Sequence, residues 1–204
     1  MLKRIKKIVI LIFIVLVLLM QFSTYSNAVG SYLNLNALDF KATINPDGSM
    51  DVVETWDIDI RYTNTLYKTF EMDEDKFSEI TNVKVKEITD GTSKEFTDIN
   101  EEMYHVTKDC YYGLVNSKGK FEIAWGVGLD DTFDRRTYEI SYTVKDAIAK
   151  YNDYAELYWQ FIGEDFEIDA DEITGTIILP EDANDLDDIK VWGHTENLNG
   201  EIYV

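Results

Sequence analysis

Asp165, Glu167, Asp169 and Asp171 are spaced two apart in a single acidic run. In an extended chain alternate side chains share a face, so these carboxylates would line up and repel one another unless a cation relieved them. They are the candidate calcium ligands, ahead of two smaller groups, Asp73 to Asp75 and Asp130 to Asp134. The run lacks the glycine of an EF-hand turn, since Ala170 stands at that position, and the competing reading is a solvated acidic face. Other chemistry is poorly provided for. His105 and His194 are far apart, with no HxxxH or HExxH spacing to hold zinc. Ser-His-Asp catalysis would have to use one of them, and no G-x-S-x-G, Walker or G-x-G-x-x-G motif occurs. Carboxylate pairs suited to glycoside hydrolysis are conceivable, but with 39 acidic residues no particular pair stands out. No catalytic residue and no cofactor is therefore assigned. Trp125, Trp159 and Trp192 could stack on sugars, yet each lies in an apolar strand pattern that favours core.

The elements that would position these residues read as strands. From Tyr154 the chain alternates: Ala155, Leu157, Trp159 and Phe161 on one face, Glu156, Tyr158 and Gln160 on the other. Gly163 ends that pattern, the acidic run follows, and Ile173 to Leu179 forms another strand that stops at Pro180. Upstream, Asp39 to Ile44 and the long run from Met50 to Tyr62 flank Asn45-Pro46-Asp47-Gly48, a turn signal, and predict a hairpin. Met50, Val52, Trp56, Ile58, Ile60 and Tyr62 share one parity, interrupted by Glu54. Tyr67 to Ser78 reads as a loop, with one helical turn at Asp75 to Ser78, and Asn82 to Lys86 as a strand. Cys110 to Val115 and Lys120 to Trp125 flank Asn116-Ser117-Lys118-Gly119 as a second hairpin. Arg136 to Val144 is a strand with Tyr138, Ile140, Tyr142 and Val144 inward. Ala147 to Tyr151 is expected to turn once as a helix. After the acidic loop Glu181 to Asp188, Ile189 to Trp192 and Ile202 to Val204 read as strand segments. Short strands between turns, without a long amphipathic helix, predict a mainly β antiparallel sandwich, immunoglobulin-like in broad architecture.

Met1 to Ala28 has a different composition. Lys3, Arg4, Lys6 and Lys7 precede the unbroken apolar run Ile8 to Met20, and Ser26-Asn27-Ala28 offers small residues for a signal peptidase. The run falls short of the ~20 apolar residues of a spanning helix. Residues 1–28 therefore read as a signal peptide cleaved at Ala28, with an uncleaved signal anchor as the alternative. Residues 29–37 are a lead-in without periodicity, and 38–204 form the extracytoplasmic domain. Val204 lies within an apolar run, so the domain is expected to continue past it. The formal net charge of −20 becomes more negative once the leader, with its four basic residues, is removed. Such a surface repels nucleic acid and anionic headgroups. Cys110 is the lone cysteine, which excludes an internal disulfide, and its neighbours Tyr111 and Tyr112 favour burial over pairing between chains.

Tyr158-Trp159 with Ile162-Gly163, the isoleucine-rich strand and Leu179-Pro180 form an ordered set. With Asp47-Gly48-Ser49 before Val52-Val53-Glu54, and Trp192-Gly193-His194 near the end, the chain resembles a bacterial membrane-protein family, DUF2207, in its N-terminal extracytoplasmic domain. The resemblance runs from about Leu38 to the C-terminus. It implies an exported domain tethered by downstream transmembrane helices, and it transfers no site, because the family has no assigned catalytic residues. The expected function is a protein- or envelope-binding module at the extracytoplasmic face of the cell membrane. The alternatives are a cell-wall glycan hydrolase using a carboxylate pair and a purely structural ectodomain. Export is tested by N-terminal sequencing of the protein recovered from cells: a start at Val29 is expected, and a start at Met1 would establish the signal anchor.

Overall fold

The structure is a computed structural model that describes residues 32–128, 133–162, 168, 170–180 and 189–190. These residues form β1 (Tyr32–Ile44), β2 (Met50–Arg61), β3 (Thr65–Phe70), β4 (Glu79–Glu87), β5 (Lys94–Glu95) and β6 (Thr97–Asp98). β7 (Cys110–Val115), β8 (Phe121–Gly126), β9 (Asp134–Lys145), β10 (Ile148–Lys150), β11 (Ala155–Leu157) and β12 (Ile173–Ile178) follow. One sheet runs β12-β1-β2-β9-β4-β5, a second runs β3-β8-β7-β6, and β10 pairs with β11 as a separate hairpin. The protein is mainly β, and its sheets pack on each other.

The central pair is β2 and β9, antiparallel from Met50↔Val144 to Ile60↔Asp134. Both strands alternate strictly. Met50, Val52, Trp56, Ile58 and Ile60 on β2, and Tyr138, Ile140, Tyr142 and Val144 on β9, are buried against the second sheet. Each such side chain contributes roughly 1.5–3 kcal/mol when fully buried. The two sheets meet at Trp56 and Trp125, fully buried with ring centroids 5.4 Å apart in an edge-to-face arrangement. Aspartates and threonines occupy the outer row of β2, and Arg135 of β9 clasps Asp57 through two hydrogen bonds of 2.8 and 2.5 Å. The predicted first hairpin is present. Ile44 pairs with Met50, Asp47 accepts from the Ser49 backbone N–H and hydroxyl, and Gly48 takes a φ of 91°, which suits a residue without Cβ. The hairpin of β7 and β8 also forms where the Asn-Ser-Lys-Gly turn predicts it.

Several expectations are corrected. β1 begins at Tyr32, inside the stretch read as an aperiodic lead-in. A register shift between Leu35 and Ala37 changes the parity, so Leu35 and Leu38 are both buried and simple alternation fails there. Tyr67 to Ser78 is not all loop: β3 places Leu66, Lys68 and Phe70 inward, and the inward lysine hides the strand pattern. Ala147 to Tyr151 is no helical turn but β10, paired with β11. The strand expected from Tyr154 shortens to Ala155–Leu157, although Leu157, Trp159 and Phe161 still pack on the core while Glu156, Tyr158 and Gln160 face solvent. Pairing is not wholly antiparallel, because β12 runs parallel to β1 and β6 parallel to β7. At Phe40↔Gly175 the phenyl ring lies over the glycine, where a Cβ would stand 2.0 Å from Cζ, and the same ring stacks on Phe161 at 4.0 Å. Cys110 is half-buried with a free thiol. Ile189 and Lys190 carry no strand. The leader with Ala28, the loop 181–188, Val191, Trp192, His194 and the segment 202–204 lie outside the described residues.

Trp56→Ala removes the ring on which both sheets close and should cost about 3–5 kcal/mol in denaturant unfolding. Thr55→Ala, one residue along on the outer face, should change stability by less than about 0.5 kcal/mol.

Candidate functional site

Glu54 and Lys68 bring ionisable groups into the apolar interior. Glu54 stands on the inward row of β2 and Lys68 on the inward row of β3, so one comes from each sheet, with residue exposures of 1% and 6%. The Lys68 ammonium donates to Glu54 Oε1. Tyr142 of β9 donates its hydroxyl to the same oxygen at 2.7 Å, and Trp56 donates its indole N–H to Oε2 at 3.0 Å. Lys68 also donates to the Phe161 carbonyl at 2.7 Å, tying the segment after β11 to the centre of the sandwich. Its Nζ lies 5.2 Å from the Phe70 ring centroid. Burial, reinforced by the Glu54 charge, raises the Tyr142 phenol well above its ordinary value, so it remains a neutral donor. Trp159 faces this cluster from the same segment, its ring 5.8 Å from that of Phe70. An enclosed ion pair with its lone pairs occupied is placed to fix strand register and to join sheets. Both side chains lie away from solvent.

Arg136 is a second inward charge. Its guanidinium donates to the Val127 carbonyl at 2.7 Å and to Asp134 at 2.8 Å. Burial opposes its charge, but the hydrogen bonds it donates to Tyr138 and Asp134 carry its pKa above the usual arginine value. A hollow of about 440 Å³ opens at the β4 side, lined by Lys84, Lys86, Glu95, Phe96, Tyr111 and Glu139 among others. Its Glu139 is held by Lys86 at 2.7 Å.

Of the sequence-predicted calcium ligands, Asp171 alone falls among the described residues. Asp165, Glu167 and Asp169 lie outside them, and Asp171 is exposed and accepts from Asn34 at 3.3 Å. Asp73 is held below the usual carboxylate range by Lys76 and the Asp75 backbone, and Asp134 pairs with Arg136. Among the described residues no three His, Cys, Asp or Glu side chains converge as metal ligands. Trp125 is fully buried, as its strand pattern implies, and His105 packs edge-on against the exposed Tyr104. Sequence reading passed over Lys68 and treated Glu54 as an interruption. The signal was present in both rows: one acid and one base, each inside an apolar alternation.

A further surface feature is the β10–β11 hairpin. Ile148 pairs with Leu157, Ala149 with Glu156 and Lys150 with Ala155, and the Tyr151 N–H donates to the Tyr154 carbonyl to close the turn. Ile148 and Leu157 face the core. Alternation therefore puts Tyr151, Tyr154 and Glu156 on the outer face, and Tyr158 follows in the same phase. The Tyr151 and Tyr154 rings stack at 4.4 Å, and all three tyrosines are more than half exposed.

A two-sheet β domain with a sealed ionic core and an aromatic surface hairpin is the class of protein defined here. The chain belongs to the family described as predicted membrane protein (DUF2207), N-terminal domain, which it matches over residues 34–204. Among the described residues no helix is long and apolar enough to cross a membrane. No curated protein matches the chain. Among solved structures it is similar to one titled a "putative protease" from Parabacteroides distasonis, at 11% identity and a TM-score of 0.30. That match covers 55% of this chain and 22% of the other, and it carries no argument about fold or activity.

Lys68→Met strands the Glu54 carboxylate in the core and should cost about 3–5 kcal/mol. Glu54→Gln combined with Lys68→Met removes the charge while keeping a carbonyl acceptor for the Trp56 N–H and an amide NH2 that can donate to the Tyr142 hydroxyl oxygen. Chemical denaturation should show the double variant recovering most of that loss; a fully additive penalty would mean that the two charges do not act as a pair.

Proposed function

We propose that the chain is an extracytoplasmic, membrane-tethered β-sandwich domain that binds a protein or another component of the cell envelope. The observation that carries this reading is the outer face of the β10–β11 hairpin. Tyr151, Tyr154 and Tyr158 are exposed together on an element that belongs to neither sheet. Tyrosine supplies a large apolar face with a polar tip and little side-chain entropy to lose, which suits a contact surface. The leader at residues 1–28 supports export. Membership of a family of predicted membrane proteins supports a tether, through helices downstream of this chain or through an uncleaved anchor. Binding is preferred to glycan hydrolysis because Glu139 in the open hollow is occupied by Lys86, and Glu54 is enclosed with Lys68. It is preferred to a purely structural ectodomain because tyrosines that served packing alone would be covered.

Co-sedimentation of the purified exported chain with a cell-envelope fraction tests the reading. The chain should pellet with the envelope, and Tyr151→Ala/Tyr154→Ala should abolish pelleting while leaving the melting temperature unchanged. Pelleting that survives the double substitution would move the contact away from the hairpin. No pelleting at all would favour the structural ectodomain.

A further inference from the structure

We propose that the outer face of the β10–β11 hairpin docks a lysine- or arginine-bearing segment of a partner protein; this rests on the binding reading above. The face combines two chemistries suited to a cation. Tyr151, Tyr154 and Tyr158 present ring faces, at exposures of 53%, 56% and 55%. Asp153, in the turn, and Glu156, on the same row as Tyr154, add exposed carboxylates, and neither forms an ion pair with a described residue. The electron-rich face of an aromatic ring attracts an ammonium or a guanidinium, and a neighbouring carboxylate adds a charge-assisted hydrogen bond.

The chain itself supplies an example of this recognition at the edge of the face. Lys76 reaches over the Tyr158 ring with its Nζ 4.8 Å from the centroid. No cation of the described residues lies over the Tyr151 or Tyr154 ring, and the two rings stack on each other. The hairpin's own lysine does not compete, because Lys150 belongs to the opposite row and donates to the Pro46 carbonyl at 3.5 Å. A formal net charge of −20 would draw a basic partner in and keep away nucleic acid, anionic lipid and a second copy of the same chain. The stacked tyrosines then discriminate among cations that the general field attracts: an arginine plane can lie on a ring with its edge toward Glu156.

The experiment is fluorescence anisotropy of a short labelled peptide of alternating arginine and serine, titrated with the exported chain at two ionic strengths. Binding is expected. Tyr151→Ala/Tyr154→Ala, which changes no charge, should weaken it about tenfold, the loss of cation–π contacts worth about 1.4 kcal/mol. Glu156→Gln should weaken it severalfold. Asp90→Asn/Glu101→Gln removes exposed acids that lie outside the hairpin and should leave it within about twofold. All of these residues are exposed, so the fold should persist, and near-ultraviolet circular dichroism checks it. Equal losses in the hairpin and the remote variants would overturn the proposal in favour of diffuse attraction. A neutral chito-oligosaccharide that competes at the hairpin while the arginine peptide fails to bind would also overturn it, and the broader binding reading would survive. Failure of both probes together with retained envelope pelleting would reject the basic segment alone, whereas loss of pelleting as well would reject both.

Discussion

A carboxylate and an ammonium enclosed in an apolar interior are tolerable only together. Each ion taken from water carries a desolvation penalty of several kcal/mol, and only a close partner with its remaining lone pairs occupied offsets it. Glu54 meets that condition through Lys68, Tyr142 and Trp56. The requirement reaches well beyond the pair. Sliding β3 by one residue would turn Lys68 outward and leave Glu54 uncompensated, so the ion pair holds the second sheet in register against the first. Through the Phe161 carbonyl, the same ammonium also holds the segment that follows the hairpin.

That segment links the core to the surface. Trp159 packs against Phe70 and Phe77, and Phe161 stacks on Phe40. These anchors fix the phase of alternation from Leu157 onward, and the phase determines that Tyr158, Glu156 and Tyr154 point to solvent. The tyrosine face is thus a consequence of inward contacts. The hairpin contributes only its own short ladder, Ile148↔Leu157 to Lys150↔Ala155, and a two-stranded ribbon of that length would not hold its shape without the anchoring rows. Core and candidate contact surface are two faces of one stretch.

Strands with strict alternation were legible from residue order. β2, β9 and the β7–β8 hairpin lie where period-two patterns and turn residues predict them, because burial on one face of a sheet writes itself directly into the chain. The failures have separate causes. The start of β1 is hidden by the irregularity between Leu35 and Ala37, and β3 is hidden by its inward lysine. β10 is hidden by its brevity and by neighbours equally suited to a helical turn. For β3 the local pattern is overruled by Glu54 of the facing sheet, and for β10 by the strand that follows it across a short turn.

Composition and local order were enough to read an acidic chain and a mainly β fold, with a resemblance whose family membership then held. These properties depend on nearest neighbours and on totals, and a single chain carries both. Three-dimensional contact was needed to turn Glu54 from an interruption into half of an ion pair, and to set β12 parallel beside β1. It was also needed to place Tyr151 against Tyr154 on an exposed hairpin. The first two depend on which segment lies opposite, a matter settled by desolvation and packing between the sheets, and the third on the turn that the anchored hairpin adopts.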